Sequence, residues 1–350
     1  MIISNLNILS FRRLQNISLQ ELKRVNYIVG ENNCGKTSVL EAVIAGGGYS
    51  DINLFTDTVY ARNQKGFFDA AKNMLIPKGK ESSIISIEQA TDQSIRTEIK
   101  CTQDEKIQQS DKGIQNIKLI TVKIESEESF ANSKKNETFW VNFEQNGNKT
   151  TIRKDPKLSQ RKNGRFPCQF VSFSRYDRTS NIIKALDDVF KTNQRDILIR
   201  VLQFFDAKAT NFEVVGEDRQ ILVFRNGESE EEALFLNDYG NGMYKAFYIA
   251  CAAILAENGV LLIDELEAGI HHKALEKIVR FLEDISIEKN IQIFVTTHSL
   301  ELLDVARRHH EEDSFAVYNL GIQTNGAVVI NRMDNKELKL LREDLGLDIR

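Results

Sequence analysis

Val25-Asn26-Tyr27-Ile28-Val29-Gly30-Glu31-Asn32-Asn33-Cys34-Gly35-Lys36-Thr37-Ser38 reads as a buried strand, a glycine-bounded loop and the first turn of a helix. Gly30 to Thr37 has the form G-x-x-x-x-G-K-T. The apolar run ahead of it and the Val39, Leu40, Val43, Ile44 stripe behind it supply the strand and helix that a phosphate-binding loop requires. The glycines let the backbone wrap an anion, so that consecutive N–H groups point at phosphate oxygens. The start of the helix adds the positive end of its dipole. The expected nucleotide-binding set is therefore Gly30, Asn32, Asn33, Cys34, Gly35, Lys36, Thr37 and Ser38. Lys36 would reach the β- and γ-phosphates, and the Thr37 hydroxyl would hold Mg²⁺.

Two further strand ends carry chemistry that fits such a loop. Val260-Leu261-Leu262-Ile263 is continuously apolar, as a central parallel strand is, and runs directly into Asp264-Glu265. Asp264 would order the metal, and Glu265, one step on, would polarise an attacking water. By itself the pair could equally be a solvated acidic turn; the loop at Gly30 decides for the catalytic reading. Ile291-Gln292-Ile293-Phe294-Val295-Thr296-Thr297 ends on His298-Ser299. A neutral imidazole at that edge can donate to a γ-phosphate and help orient the water. A surface histidine capping the next helix is the plainer alternative, set aside because three strand ends then converge on phosphate chemistry.

Composition places these motifs in an ordinary globular chain of 350 residues, 41% hydrophobic and 27% charged. A net charge of −4 excludes a wholesale nucleic-acid electrostatic footprint while leaving room for a local basic face. Cys34, Cys101, Cys168 and Cys251 are widely spaced and form no zinc-site pattern, so a reduced, cytoplasmic protein is expected. The opening residues lack a basic, apolar leader, and no apolar run reaches membrane-spanning length, so a soluble chain with no membrane partner is expected.

Working outward, Ile2 to Leu9 and Leu14 to Leu19 predict two strands joined by a turn at Phe11-Arg12-Arg13. The helix over Lys36 to Ala45 is expected to stop at Gly46-Gly47-Gly48. From about 49 to 165 the chain is polar, with β-like runs at Ser83–Glu88, Ile95–Cys101, Ile117–Ile124 and Thr138–Phe143, which predict an antiparallel elaboration outside the catalytic core. Phe170–Phe173 is a core-like strand. Thr179–Phe205 predicts one or two helices, with Ile182, Ile183, Leu186, Val189 and Phe190 at helical spacing. Phe212–Val215 and Ile221–Phe224 flank a hairpin turn, and Phe205, Phe212 and Phe224 read as core. Helices over Gly242–Glu257 and His272–Ile285 alternate with the two apolar strands, a rhythm that implies a parallel sheet with helices on its faces.

Loop, acidic strand end and strand-end histidine, in this order, resemble an ABC-class ATPase. The match is closest to the non-transporter branch that includes RecF, the SMC proteins and the OLD-family ATPases. It rests on Phe11-Arg12, on Gly30 to Ala42, on Ile263-Asp264-Glu265-Leu266-Glu267-Ala268-Gly269-Ile270-His271 and on Thr296-Thr297-His298-Ser299. It covers the two ends of the chain and little of the middle. The fold class it implies is α/β: a P-loop ABC-type ATPase head, a mixed and largely parallel sheet with flanking helices, carrying an antiparallel β elaboration and a helical subdomain. The division expected is 1–48 and 236–350 for the two parts of the head, 49–165 for the elaboration, and 166–235 for a core strand, helical subdomain and hairpin.

The resemblance also implies roles. Such ATPases bind ATP and Mg²⁺, the metal held here by Thr37 and Asp264, with Glu265, His298 and Lys36 as catalytic groups and Arg12 on the adenine and ribose side. A signature motif is given in trans, across a head-to-tail, ATP-dependent homodimer that higher oligomers can extend. Asn241-Gly242 takes its Ser-Gly position, a departure that implies slow hydrolysis. His272 stands where the family usually has proline. Gln169 is the candidate for the glutamine-loop residue, and Cys34 is either an oxidation-sensitive thiol beside Lys36 or simply a small residue. OLD-family proteins carry a nuclease domain after the ATPase, but only about fifty residues follow His298. The implied function is thus a stand-alone sensor ATPase of an anti-phage defence system, paired with a separate effector such as a nuclease or toxin. The alternative is a RecF-like repair clamp that holds DNA through Arg153, Lys154, Lys157, Arg161, Lys162 and Arg165. That run also reads as a solvated loop. The ending from Leu341 to Arg350 reads as an amphipathic tail.

Overall fold

The computed structural model describes residues 2–47, 68, 72, 75–110, 113–130, 133–146, 149–157, 166–172, 178–226, 231–311 and 313–340. Gly48, Arg161, Lys162, Arg165 and the 341–350 tail lie outside the described residues. The chain opens on an antiparallel hairpin, β1 (Ile3–Phe11) and β2 (Leu14–Leu19), which turns at Arg12-Arg13. β3 (Val25–Gly30), buried along its whole length, leads through the loop into α1 (Lys36–Gly47). Gly46 and Gly47 do not stop α1; they lie inside it. A Cβ on Gly46 would come within 2.8 Å of Ile85, and one on Gly47 within 2.2 Å of the Phe166 ring. Their role is close approach to the neighbouring layer rather than termination.

That layer is built from β4 (Ser82–Gln89), β5 (Ser94–Ser110), β6 (Gly113–Phe130), β7 (Ser133–Asn146) and β8 (Lys149–Lys154). These strands pair antiparallel in chain order, and β4 pairs with β1. The opening hairpin and the predicted β runs therefore share one seven-stranded sheet, β2-β1-β4-β5-β6-β7-β8. β8 escapes the apolar pattern because it is an edge strand, where Lys and Arg are at home. Ile85, Ile87, Ile95 and Ile99 of this sheet share one buried cluster with Val39, Leu40 and Val43 of α1.

The next segment runs β9 (Cys168–Ser172), α2 (Arg178–Val189), a 3₁₀ turn (Phe190–Thr192) and α3 (Arg195–Phe205). β10 (Ala209–Val215), β11 (Gln220–Asn226) and β12 (Glu231–Phe235) form a small antiparallel sheet, followed by a 3₁₀ turn (Leu236–Tyr239) and α4 (Asn241–Leu255). Ile182, Ile183, Leu186 and Val189 are buried as their spacing predicts. Phe190 is not: it leaves the helix for the 3₁₀ turn and is 42% exposed. Phe212 is buried, whereas Phe205 and Phe224 are half-buried.

The rest alternates: β13 (Val260–Asp264), α5 (His272–Glu288), β14 (Gln292–Thr297), α6 (Leu300–His309), β15 (Phe315–Ile322), β16 (Val328–Met333) and α7 (Asn335–Lys339). The central sheet has the order β16-β15-β3-β14-β13-β9. All its neighbours pair parallel except β16, which closes one edge antiparallel. Parallel pairing brings the carboxyl ends of β9, β13, β14, β3 and β15 to one side, which is where ligand sites form in open α/β sheets. α1 lies between this sheet and the antiparallel one, touching β3, β13 and β14 on one side and β1, β4 and β5 on the other.

The opposite side of the central sheet is tied by a buried relay. Tyr27 Oη and His310 Nε2 are 2.7 Å apart, and His310 Nδ1 hydrogen-bonds Glu283 Oε2. Burial pushes the Glu283 carboxyl up, but the His310 hydrogen bond and charge, with Ser314 and Arg24, outweigh it and hold the group below the usual range. A depressed carboxylate contributes stability above its unfolded value and loses it as pH falls through the folded one. Glu283→Gln should therefore lower the melting temperature near neutral pH, and the gap to the natural chain should shrink below the ordinary glutamate range. Melting curves across pH check this; a gap that widens on acidification would refute it.

Candidate nucleotide site

The loop between β3 and α1 needs its glycines. Gly30 has φ 144° and Gly35 φ 107°. A Cβ on Gly30 would meet Leu320 O of β15 at 2.3 Å, and one on Gly35 would meet Leu14 at 2.8 Å. Asn33 takes the left-handed conformation at φ 66°. Lys36 is buried, and its ammonium donates to Gly30 O at 2.7 Å and Glu31 O at 2.8 Å, closing the loop on itself.

Thr37, at the start of α1, donates from Oγ1 to Asp264 Oδ1 at 3.0 Å. Asp264 ends β13 and is buried. Thr296 of β14 donates to the same Oδ1 at 2.7 Å and accepts from Glu265 N at 2.9 Å. Glu265 has φ 53°, so one buried hydroxyl secures both the acidic strand end and the left-handed residue that follows. Thr37 and Asp264 present adjacent oxygens, the donor set a small hard cation takes when phosphate and water complete its shell.

These groups open into a cleft of about 640 Å³ lined by Arg12, Arg13, Asn32, Asn33, Gly35, Lys36, Thr37, Ser38, Asp264 and Glu265. That is the volume of a small-molecule site. Arg12 is fixed there by its ion pair with the buried Glu41 of α1, Nε to Oε2 3.0 Å. Gly30 and Cys34 are buried and do not line the cleft. Burial pushes the Cys34 thiol up, outweighing the nearby Lys36, so the small-residue reading holds over the reactive one.

His298 follows β14, half-exposed. Its backbone N–H donates to Glu267 Oε1 at 2.8 Å, and its Nδ1 lies 3.0 Å from the same oxygen. It is not the cap of α6: Ser299 is, accepting from Leu302 N. Asn241 and Gly242 open α4 and do not line the cleft. Asn241 sits against the loop after β13, where a Cβ on Gly269 would lie 3.6 Å from Asn241 Nδ2, and Gly242 packs on the first turn of α5, where its added Cβ would lie 2.8 Å from Ala274. Lys245, one turn along α4 and buried, donates to Ala268 O of that loop.

Gln169 is not at the cleft edge. It pairs in register with Leu261, three residues short of the Asp264–Ser172 pair at the carboxyl end. His272 begins α5 and contacts Glu301 at 2.7 Å. Arg153 and Lys154 lie on edge strand β8, where Arg153 pairs with Glu144 at 3.4 Å, and Lys157 follows the strand. Thr296, Glu267, Glu41 and Arg13 were not singled out by sequence reasoning. For Glu41 a signal existed, a carboxylate on the apolar stripe of α1.

Thr296→Val keeps the shape of the side chain and removes both of its hydrogen bonds. Leaving a buried carboxylate oxygen and an amide short of partners should cost about 1–3 kcal/mol. Equilibrium urea unfolding reads the stability loss; no loss would mean that the hydroxyl does not hold the strand end. No helix among the described residues is long and apolar enough to cross a membrane.

Residues 25–304 match the protein family described as "AAA domain, putative AbiEii toxin, Type IV TA system". The chain is 35% identical over 112 residues to the uncharacterized protein MJECL11 of Methanocaldococcus jannaschii, across 32% of this chain and 98% of that one. It is 23% identical over 342 residues to an ATP/GTP phosphatase of Helicobacter pylori, across 90% of each. The crystal structure of the SmcHead bound to the C-winged helix domain of ScpA overlies it with a TM-score of 0.51, covering 99% of both chains at 12% identity. That last likeness is one of fold, the α/β P-loop head of an ABC-type ATPase.

Proposed function

The chain belongs to this AAA-domain family, and from that premise we propose that it binds ATP with Mg²⁺ and hydrolyses it, as one half of a dimeric clamp. The observation that carries the reading is the convergence of Lys36, Thr37, Asp264 and Glu265 on one 640 Å³ cleft at the carboxyl edge of the parallel sheet. Lys36 neutralises phosphate charge, and the loop amides cradle it. Thr37 and Asp264 would hold Mg²⁺, which supplies charge neutralisation at the β- and γ-phosphates. Glu265 takes the proton of the attacking water, and His298 orients the γ-phosphate end. Arg12 borders the base and sugar side.

Asn241-Gly242 stands outside its own cleft, which supports its use in trans by a second copy in head-to-tail contact. Its Asn in place of Ser goes with slow turnover. The ATP/GTP phosphatase relative makes GTP a competitor to test beside ATP. The clamp serves as the sensor subunit of an anti-phage defence system, holding or activating a separate nuclease or toxin; a family description that names a toxin–antitoxin system fits this setting better than a repair clamp.

The test is a tagged Glu265→Gln chain purified with ATP and Mg²⁺ from the cells that make it. A stoichiometric nuclease or toxin supports the sensor reading. Recovery of DNA, lost when Arg161, Lys162 and Arg165 are neutralised, would replace it with a RecF-like clamp.

A further inference from the structure

The turn that carries Asn241-Gly242 has little of its own to fix it. Asn237, Asp238, Gly240 and Asn241 are exposed. α4 begins without a side-chain cap, and Gly240, its N-cap, has φ 83° with open space where a Cβ would sit. A glycine so placed moves readily between conformations.

Support comes from the end of α3. Asp206 closes that helix: its amide donates to Leu202 O at 2.9 Å, and its Oδ1 accepts from Lys208 N at 3.0 Å. Its Oδ2 accepts from Tyr239 Oη, 33 residues away, at 3.0 Å, and from Arg225 Nε of β11. The Asp206 side chain is only 11% exposed. Burial pushes its carboxyl up, but the Lys208 amide, Tyr239 and Arg225 outweigh it and hold the group below the usual range. Burial first, and then that carboxylate, push the Tyr239 hydroxyl up to about 12, so it keeps its proton and donates. The preceding residue, Phe205, lies against the other end of the turn: a Cβ on Gly242 would come within 3.5 Å of its ring. Phe205 and Asp206 thus hold the turn on both sides of Asn241.

We propose that Asp206 is a positioning residue for the contact between copies: through Tyr239 it sets the Asn241-Gly242 turn in the shape that a second copy's nucleotide meets. This rests on the use of Asn241-Gly242 in trans, and Asp206 itself touches no nucleotide. Ordering a loop before association removes an entropic cost that the interface would otherwise bear. The chain's own cleft gains nothing from it, because Phe205, Asp206 and Tyr239 do not line that cleft. ATP binding by a single chain and ATP-dependent dimerisation should therefore separate.

The test is Tyr239→Phe in the full chain, which removes one hydroxyl and keeps the ring. Hydrogen exchange read by mass spectrometry on the nucleotide-free chain covers residues 236–245, a stretch that includes the Tyr244 amide bonded to Gly240 O. Exchange there should be about tenfold faster in the variant, the equilibrium effect of losing a hydrogen bond to a charged group. A fluorescent ATP analogue with Mg²⁺, titrated at dilutions where the chains stay single, should bind with unchanged affinity. By analytical ultracentrifugation with ATP and Mg²⁺, the concentration for half-dimerisation should rise about tenfold for the same reason. Adding Tyr239→Phe to Asp206→Ala should change none of these further. If Asp206→Ala does not fold, Tyr239→Phe decides alone. Unchanged exchange or unchanged dimerisation overturns the proposal, as does a fall in ATP affinity that matches the fall in dimerisation. Should the natural chain form no dimer with ATP and Mg²⁺, the clamp reading falls, and the exchange rates still decide whether Asp206 orders the turn.

Discussion

Glu265→Gln should hold ATP and turn it over about 10²- to 10⁴-fold more slowly, the range that a general base contributes. The substitution is clean because the part of Glu265 that the fold uses is its backbone. The amide donates to Thr296 Oγ1, and the left-handed φ of 53° is set by main-chain geometry that Gln adopts equally. Glu265 lines the cleft together with Lys36 and Thr37. Stalled hydrolysis should then accumulate the ATP-bound state, and with it the dimer proposed above. Phosphate release measures the first effect and light scattering after size exclusion, with and without ATP and Mg²⁺, the second. Turnover within a few-fold of the natural chain would remove Glu265 from the mechanism.

Lys36→Ala should act earlier, on binding. The ammonium is buried at the neck of the loop, anchored on Gly30 O and Glu31 O, and so already aimed when phosphate arrives. With two of its three N–H groups anchored, the ammonium has one left for a phosphate oxygen; a charge-assisted hydrogen bond is worth about 1.5–3 kcal/mol, so its loss should weaken ATP binding by roughly 10- to 10²-fold. Titration calorimetry with ATP and Mg²⁺ reads this directly. Affinity equal to that of the natural chain would mean that Lys36 does not bind phosphate. Glu31 is exposed, so water can replace the lost donor there, and the melting temperature should fall far less than the affinity.

The strands that carry the site were legible because central parallel strands are buried on both faces and so read as largely apolar runs, broken only by Asn26 and Gln292. Val25–Val29, Val260–Ile263 and Ile291–Val295 each end abruptly on polar chemistry. β15 is buried over its first four residues but ends on no such chemistry, and β8 is polar because it is an edge. Gly46-Gly47 misleads because glycine after a helical run usually marks a stop. Here it marks the closeness of a second sheet, which only the tertiary structure reveals. Glu267 and His298 stand 31 residues apart in the chain. No periodicity joins them; the contact exists because β13 and β14 are neighbours whose ends open on the same edge.

The placement of Arg12 has a mechanical consequence. Its turn joins β1 to β2, it borders the nucleotide cleft, and it grips α1 through Glu41. The same sheet continues into β5 and β6, whose hairpin runs ten residues beyond the last β4 pairing at Lys100. At about 3.3 Å per residue that is an arm of roughly 30 Å. A tilt of the sheet by about 10° would move its far Ser110–Gly113 pair by about 5 Å over such a length. Closure around a small molecule would thus become a displacement large enough for another protein to feel, with the hairpin as lever and α1 as fulcrum.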